Sequence, residues 1–218
     1  MHGKQKVNIR KLSEFVSKTT KGNVFIKIDV QGFELEVLKG IKKSDFNLEI
    51  KGENVVGEIN SSNTLLPFNA GSEKKWRAVT TDVAGFIWAL ANNEIYNFKT
   101  VTIIGAGATA RAAAAAVDAP GRKITVVNRN PERIMSMKKA VSDAELSFID
   151  WNEVSLKSDL VINTTPAGVA DNLPESTGVL FESLYFPWPT ELSKKWSGKV
   201  IDGLDLLVHQ AIDQIAYM

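Results

Sequence analysis

From residue 101 to its end, the chain alternates short apolar runs with segments of helical spacing, and an apolar helical segment lies upstream at residues 83–92. The apolar runs are rich in β-branched residues, which favours strands, and the segments between them have the periodicity of helices. We predict strands at residues 101–104, 123–127, 146–149, 160–163, 180–184 and 200–202, and helices at residues 83–92, 111–117, 131–142 and 205–217. Strands separated by helices form βαβ units, so we expect a parallel sheet covered on both faces.

The first part of the chain has a different pattern. Residues 24–30 form an apolar run that predicts a strand, and residues 33–38 begin a short helix. Residues 60–75 are polar with little periodicity, which predicts a loop-rich stretch. The expected architecture is therefore α/β, a Rossmann-like parallel sheet with helices on both faces, preceded by a small incomplete α/β segment.

A glycine-rich turn follows the strand predicted at residues 101–104 and precedes an alanine-rich helix. Gly105 permits a tight turn, Gly107 lets the backbone approach a pyrophosphate, and Ala110 takes a third small position where helix and strand pack closely. The pyrophosphate would bind the amides at the helix N-terminus. The glycines alone leave open a tight turn that binds no ligand.

The polar residues after the next strand help to choose the dinucleotide. An NAD enzyme usually has an acidic residue there for the ribose hydroxyls, whereas this chain has Asn128, Arg129 and, one turn later, Arg133. Two guanidinium groups can bind a 2′-phosphate and gain nothing comparable from a hydroxyl. NADP is therefore the expected cofactor, and a solvated basic turn is the alternative.

Composition excludes several other classes of protein. An apolar fraction of 44% in 218 residues supports a packed core, and a net charge of +1 does not indicate a nucleic-acid or membrane surface. Cysteine is absent, and the two histidines, His2 and His209, are far apart in sequence, so no metal site is predicted. The first residues are polar, without the apolar run of a signal peptide, so we expect a cytoplasmic protein.

Several segments occur in a characteristic order: SSNTL at residues 61–65, TTDVAGF at 80–86, GAGATARA at 105–112, NRNPER at 128–133, NTTPAG at 163–168, Tyr185 with a proline-rich loop, and GLDLLVHQ at 203–210. Together they resemble the C-terminal, cofactor-binding part of the shikimate dehydrogenase family, over about residues 60–218. A chance match to one short motif is common, whereas an ordered series at compatible spacing is specific.

The resemblance implies an NADP-dependent oxidoreductase that reduces 3-dehydroshikimate to shikimate, in the chorismate pathway to aromatic amino acids. Hydride moves between the nicotinamide and a ring carbon while a side chain moves a proton. Asp82 corresponds to the family's catalytic aspartate, and it could also serve as N-cap of the helix predicted at residues 83–92. The resemblance assigns Asn63, Asp82, Tyr185 and Gln210 to the small-molecule substrate.

The same resemblance assigns a larger set of residues to the cofactor. They come from the glycine-rich turn, from residues 128–133 (the arginine segment), from the loop after residues 160–163 and from the start of the last helix. The set is Gly105, Ala106, Gly107, Ala108, Thr109, Ala110, Asn128, Arg129, Asn130, Arg133, Thr164, Thr165, Pro166, Gly203 and Leu206.

Two segments of the family are not found in this chain. One is NVTxPxK, which carries the family's catalytic lysine, and the other is SxSPxxH, whose serines bind the substrate carboxylate. The alternative to an active enzyme is therefore an NADP-binding module or fusion remnant without turnover. A homodimer in which a second copy completes the substrate side of the site is also left open.

Residues 24–40 contain a segment that resembles DxEGxExxVLxG of FkbM-type SAM-dependent methyltransferases, within a similar stretch at residues 7–41. The glycine-rich SAM loop is not found, so we expect Asp29 and Glu34 at a strand end and a solvated helix start. We thus predict a methyltransferase-like fragment at residues 1–45, a remnant of a substrate-binding domain at 46–82, and an NADP-binding Rossmann domain at 83–218.

Overall fold

The computed structural model describes residues 50–52, 54–70 and 73–217. Within them the strands are β1 (Ile50–Gly52), β2 (Thr64–Ala70), β3 (Glu73–Val79), β4 (Thr100–Ile104), β5 (Lys123–Val127), β6 (Glu145–Ile149), β7 (Leu160–Asn163), β8 (Val179–Glu182) and β9 (Val200–Ile201). The helices are α1 (Asn54–Ile59), α2 (Asp82–Asn92), α3 (Ala108–Val117), α4 (Ile134–Lys139), α5 (Glu191–Lys194) and α6 (Gly203–Ala216). The predictions for residues 24–30 and 33–38, and for Asp29 and Glu34, lie outside the described residues.

The larger sheet has six parallel strands in the order β6-β5-β4-β7-β8-β9. Chain order reverses between β4 and β7, as in doubly wound folds that bind dinucleotides. The crevice outside the carboxyl ends of β4 and β7 is the place where such sheets bind ligands. The Rossmann-like fold class expected from the sequence is thus confirmed.

The central strands β4, β7 and β8 are buried on both faces, so their successive side chains enter different cores. Ile103 packs on one face in a cluster with Phe86 of α2 and the alanines of α3. Ile104 packs on the other face with Leu192 and Trp196. Parallel strands covered on two sides need apolar residues at consecutive positions, which explains the runs visible in the sequence.

The stretch predicted to be loop-rich, residues 60–75, was assigned wrongly, because much of it belongs to a smaller sheet. β2 pairs antiparallel with β3, with Thr64 opposite Val79, and β1 pairs parallel with β3. Among the hairpin residues whose side chains the structure describes, Leu65, Ala78 and Val79 are buried. Two adjacent leucines followed by Pro67 in β2, and three charged residues at the start of β3, give no regular alternation of apolar and polar residues along the strands.

Several predicted boundaries also differ from the structure. The helix predicted at residues 131–142 consists of a 3₁₀ turn, Pro131–Arg133, followed by α4, which ends at Lys139. The Asp118 carboxylate holds the chain beyond it in a loop, accepting from the amides of Ser142 and Ala144, each at 2.7 Å. No helix in the described part of the chain is long and apolar enough to cross a membrane.

The last strands and the last helix begin and end slightly differently from the predictions at residues 180–184, 200–202 and 205–217. β8 ends at Glu182, and β9 ends at Ile201. Asp202 is the N-cap of α6, accepting from the Leu204 amide at 2.9 Å, and therefore does not continue the strand. A capping aspartate explains why the helix begins earlier than its apolar pattern indicates.

Candidate active site

The glycine-rich turn joins β4 to α3 at the centre of the sheet. Gly105 has φ of +109°, and its amide donates to the carbonyl of Val127 on β5 at 3.0 Å. A Cβ at this position would lie 2.6 Å from Oγ1 of Thr164, in the loop after β7. The turn is therefore packed between the ends of the neighbouring strands, and both its conformation and its surroundings require glycine.

Gly107 is the residue before α3 and has an extended backbone with φ of −81°. The first amides of a helix have no partner within the helix and favour an anion. An added Cβ would lie 3.7 Å from Nη1 of Arg133, so this guanidinium is close to the turn. A pyrophosphate could bind here, because Gly107 has no side chain, the first amides of α3 have no partner within the helix, and the Arg133 guanidinium is close by.

The arginine segment after β5 is shaped by two asparagines. Asn128 accepts from the Asn130 amide at 2.9 Å, and Asn130 accepts from the Glu132 amide at 3.0 Å, which caps the 3₁₀ turn. Arg129 lies over the ring of Trp151, with its guanidinium carbon 4.8 Å from the ring centre. The segment thus presents both Arg129 and Arg133 at the same end of the sheet.

A polar cluster lies where the hairpin meets α2 and α6. Nδ2 of Asn63 donates to Oγ1 of Thr81 and Oδ1 of Asp82, both at 2.9 Å, and to Oε1 of Gln210 at 3.3 Å. Oδ1 of Asn63 accepts from the Thr81 amide at 3.1 Å, and Thr81 also donates to Gln210 at 3.2 Å. Behind this cluster, Gln214 donates to Thr64 at 3.2 Å. The shared hydrogen bonds fix the amide of Asn63 and the carboxylate of Asp82 relative to each other.

Asp82 does not serve as the helix N-cap, the structural alternative that the sequence left open beside a catalytic role. It is the first residue of α2, and the N-cap position belongs to Thr81, which makes no capping side-chain bond. The Asp82 carboxylate instead accepts from Asn63 at 2.9 Å. Asp82 is half-buried and lines the cleft.

Close packing of helices brings Gln210 into the polar cluster. A Cβ on Gly85 of α2 would lie 3.0 Å from Cβ of Gln210, so α2 and α6 touch at this point. A Cβ on Gly203, the first residue of α6, would lie 2.3 Å from the carbonyl oxygen of Ser183. Gly203 therefore has no room for a side chain, whereas a side chain on Gly85 would require its neighbours on α6 to shift by a few tenths of an ångström.

Arg111 of α3 connects the glycine-rich helix to the segment before Asn63. Its guanidinium donates to the carbonyl oxygens of Ile59, the last residue of α1, and of Asn60, the latter at 3.3 Å. A cation at the C-terminal end of a helix satisfies carbonyl groups that have no partner within the helix. The contact anchors the chain that leads into the polar cluster.

A buried carboxylate organises the loops after β7 and β8. Glu182 accepts from Nδ2 of Asn163 at 2.9 Å, from Oγ1 of Thr190 at 3.1 Å and from the Leu184 amide at 3.3 Å. Asn163 in turn accepts from the hydroxyl of Thr165 at 2.7 Å. Burial raises the pKa of Glu182, although these hydrogen bonds act in the opposite direction.

One cleft of about 470 Å³ joins the glycine-rich turn, the arginine segment and the polar cluster. Of the residues assigned from the sequence, Ala110 lies outside its lining, because it is buried in the core between α3 and the sheet. The assigned residues that line the cleft are Asn63, Asp82, Gly105, Ala106, Gly107, Ala108, Thr109, Asn128, Arg129, Asn130, Arg133, Thr164, Thr165, Pro166, Tyr185, Gly203, Leu206 and Gln210.

Some residues of the site were not assigned from the sequence. Thr81 is fully buried within the polar cluster, Trp151 lies against Arg129, and Ser61, Ser62 and Leu207 also line the cleft. Trp151 follows β6 at the same distance as Arg129 follows β5, which the sequence pattern could have indicated once the strands were aligned. No motif marked Thr81, because its role depends on contacts with residues distant in sequence.

The fold and the cleft together define a class of protein. It is a dinucleotide-binding α/β protein in which the polar cluster shares one cleft with the glycine-rich turn. A family model described as shikimate / quinate 5-dehydrogenase matches residues 89–170, and a methyltransferase FkbM domain model matches residues 2–75. The C-terminal part of the chain is therefore similar to the shikimate dehydrogenase family, and its N-terminal segment is similar to FkbM methyltransferases.

Individual relatives agree with this assignment. A shikimate dehydrogenase (NADP(+)) of Prochlorococcus marinus strain AS9601 is 28% identical over 219 residues, which cover 89% of this chain and 75% of the relative. One from Crocosphaera subtropica is 34% identical over 163 residues, covering 64% and 57%. The crystal structure of Mycobacterium tuberculosis shikimate dehydrogenase aligns with a TM-score of 0.63 and 28% identity, over 78% of this chain and 65% of that one. The chain thus spans three-quarters of the first of these relatives and just under two-thirds of the solved structure.

Proposed function

We propose that this chain is an NADP-dependent shikimate dehydrogenase, which interconverts 3-dehydroshikimate and shikimate. The observation that carries the proposal is the single cleft in which the glycine-rich turn and two arginines meet Asn63, Asp82 and Gln210. Relatives of 28% and 34% identity with this activity in their names support it. The division of the chain into segments at residues 1–45, 46–82 and 83–218 stays a prediction.

The cofactor side of the cleft fits NADP. Gly107 offers backbone without a side chain, Arg133 is close to it, and Arg129 lies further along the same segment. Two guanidinium groups complement the charge and geometry of a 2′-phosphate. The loop at Thr164–Thr165–Pro166 lies beside the turn and would face the nicotinamide half. When bound, the cofactor supplies or accepts the hydride.

The polar cluster would bind the substrate and transfer the proton. The amides of Asn63 and Gln210 each offer a donor and an acceptor, which suits the hydroxyl groups of a polyol ring. Asp82, oriented by Asn63 at 2.9 Å, would take the proton of the hydroxyl that is oxidised and return it in the reverse direction. Tyr185, which is 48% exposed, lines the cleft beside this cluster and would contact the substrate.

The assay is the increase in absorbance of NADPH when the full chain is given shikimate and NADP, with quinate tested in parallel. We expect turnover with shikimate and a loss of about 10²- to 10⁴-fold in kcat for Asp82→Asn, because a positioned acid–base group contributes about that much. Asp213→Asn on α6 is the matched control, with wild-type activity expected.

Binding of NADP without any turnover would overturn the enzymatic proposal and leave the alternative of a binding module. Equal activity of Asp82→Asn and wild type would refute the role of Asp82. The homodimer that the sequence left open is tested by light scattering at assay concentration, because a monomer with full activity would contradict a site completed by a second copy.

A further inference from the structure

Arg129 and Trp151 lie side by side because of the register of two parallel strands. Val127 at the end of β5 pairs with Ile149 at the end of β6. Each of the two residues follows its strand end by two positions, so both emerge at the same edge of the sheet. The guanidinium carbon of Arg129 is 4.8 Å from the centre of the Trp151 ring, within the range of a cation–π contact.

Trp151 also contacts the protein core and lies at the start of a capped turn. Trp151 packs against the core cluster that contains Val127. It also begins a 3₁₀ turn capped by Asp150, which accepts from the amide of Asn152 at 2.9 Å and from its side chain at 2.8 Å. The ring is therefore a fixed surface, half-buried in the wall of the cleft.

Arg129 itself is exposed, and a long exposed side chain samples many rotamers. A ligand that binds such a side chain must first immobilise it, which weakens binding. Contact with a fixed aromatic ring restricts the guanidinium before the ligand arrives. The ring leaves the N–H groups at the edge of the guanidinium available for a phosphate, because stacking occupies only its face.

We propose that Trp151 is a positioning residue that sets the preference of this protein for NADP over NAD. Its ring holds the Arg129 guanidinium at the adenosine end of the cleft, where the 2′-phosphate binds. This inference rests on the proposed function, because it requires that NADP bind in the cleft. The inference assigns the discrimination between NADP and NAD to the pair of Arg129 and Trp151 rather than to the arginines alone.

The test is isothermal titration of NADP and NAD into wild type, Trp151→Leu and Trp151→Phe. Leu keeps apolar packing without a ring, and we expect the ratio of Kd for NAD to Kd for NADP to fall about threefold to fivefold, the size of an exposed cation–π contact. The Kd for NAD should stay unchanged. Phe retains a ring face, so most of the preference should return. Trp151→Met is a second ringless variant, for use if the Leu variant does not fold.

Two controls separate positioning from other roles. Trp88→Leu removes a tryptophan that is 57% exposed on α2 outside the cleft lining, and it should keep the wild-type ratio. In an Arg129→Ala background, Trp151→Leu should cause no further decrease in the ratio, because the ring then has no guanidinium to hold.

The outcomes are distinct. If wild type prefers NAD or binds neither dinucleotide, the proposed function fails. If wild type prefers NADP but Trp151→Leu and Trp151→Met keep the wild-type ratio, the positioning role is overturned. If NADP and NAD weaken equally in these variants, Trp151 acts through a direct contact common to both ligands, and the inference is likewise overturned.

Discussion

Replacing Gly105 with alanine tests how much the packing of the glycine-rich turn contributes to the free energy of unfolding. The native φ of +109° is a conformation that residues with a side chain rarely adopt, which costs about 1–3 kcal/mol. The new Cβ would also lie 2.6 Å from Oγ1 of Thr164, a hydroxyl that donates to the carbonyl of Ile104 at 2.8 Å. Overpacking of this kind costs about 1–3 kcal/mol. We therefore expect Gly105→Ala to lower the free energy of unfolding by about 2–6 kcal/mol.

A second glycine separates these two contributions. Gly121 has φ of +80°, and a Cβ there would meet nothing within 4 Å. Gly121→Ala should therefore show the backbone cost alone, about 1–2 kcal/mol. Combining Gly105→Ala with Thr164→Ala removes the clashing hydroxyl, so the double variant should be more stable than the sum of the single variants predicts.

The assay for all four variants is urea unfolding followed by circular dichroism. The reasoning would be refuted if Gly105→Ala cost no more than Gly121→Ala, because the predicted contact with Thr164 would then have no energetic effect. Strict additivity of Gly105→Ala and Thr164→Ala would refute it as well.

Three further variants test other parts of the structure. Gly107→Ala should leave the free energy of unfolding within about 1 kcal/mol, yet weaken NADP binding about tenfold or more, because its Cβ enters the pyrophosphate space; unchanged titration would contradict this. The pKa of Glu182 is raised above its ordinary value of 4.5, so the folded protein retains a proton that the unfolded chain loses. Stability should therefore fall with rising pH above 4.5 relative to Glu182→Gln, and a constant difference in urea unfolding would contradict it. Asp118→Ala should cost about 1–2 kcal/mol in the same experiment, since amides such as that of Ser142 lose their acceptor, whereas its exposed neighbour Asp143→Ala should cost under about 0.5 kcal/mol.

The parallel sheet could be predicted because its strands are buried on two faces. The runs that became β5 and β7 are short, apolar and rich in β-branched residues, and both strands were predicted with the bounds that the structure shows. Residues that follow such strands directly, such as Arg129 and Thr164, are placed at the cleft by topology alone. The sequence therefore indicated most of the residues that line the cleft around the glycine-rich turn.

Other features depend on partners far away in the chain. The end of α4 follows from Asp118, whose carboxylate accepts from amides in the loop beyond the helix, and no local pattern shows that contact. The β2–β3 hairpin was missed because its strands lack a regular alternation of apolar and polar residues. A capping role for Asp82 was the structural alternative to its catalytic assignment, but its carboxylate accepts from Asn63, 19 positions earlier.

The most direct test of the account is the affinity of the wild-type chain for the two dinucleotides, measured by isothermal titration. Two charge-assisted contacts from Arg129 and Arg133 to a 2′-phosphate should make NADP bind about tenfold to a hundredfold more tightly than NAD. Arg129→Ala together with Arg133→Ala should abolish this difference and leave NAD binding in place. A chain that prefers NAD, or that binds neither dinucleotide, would contradict the central claim.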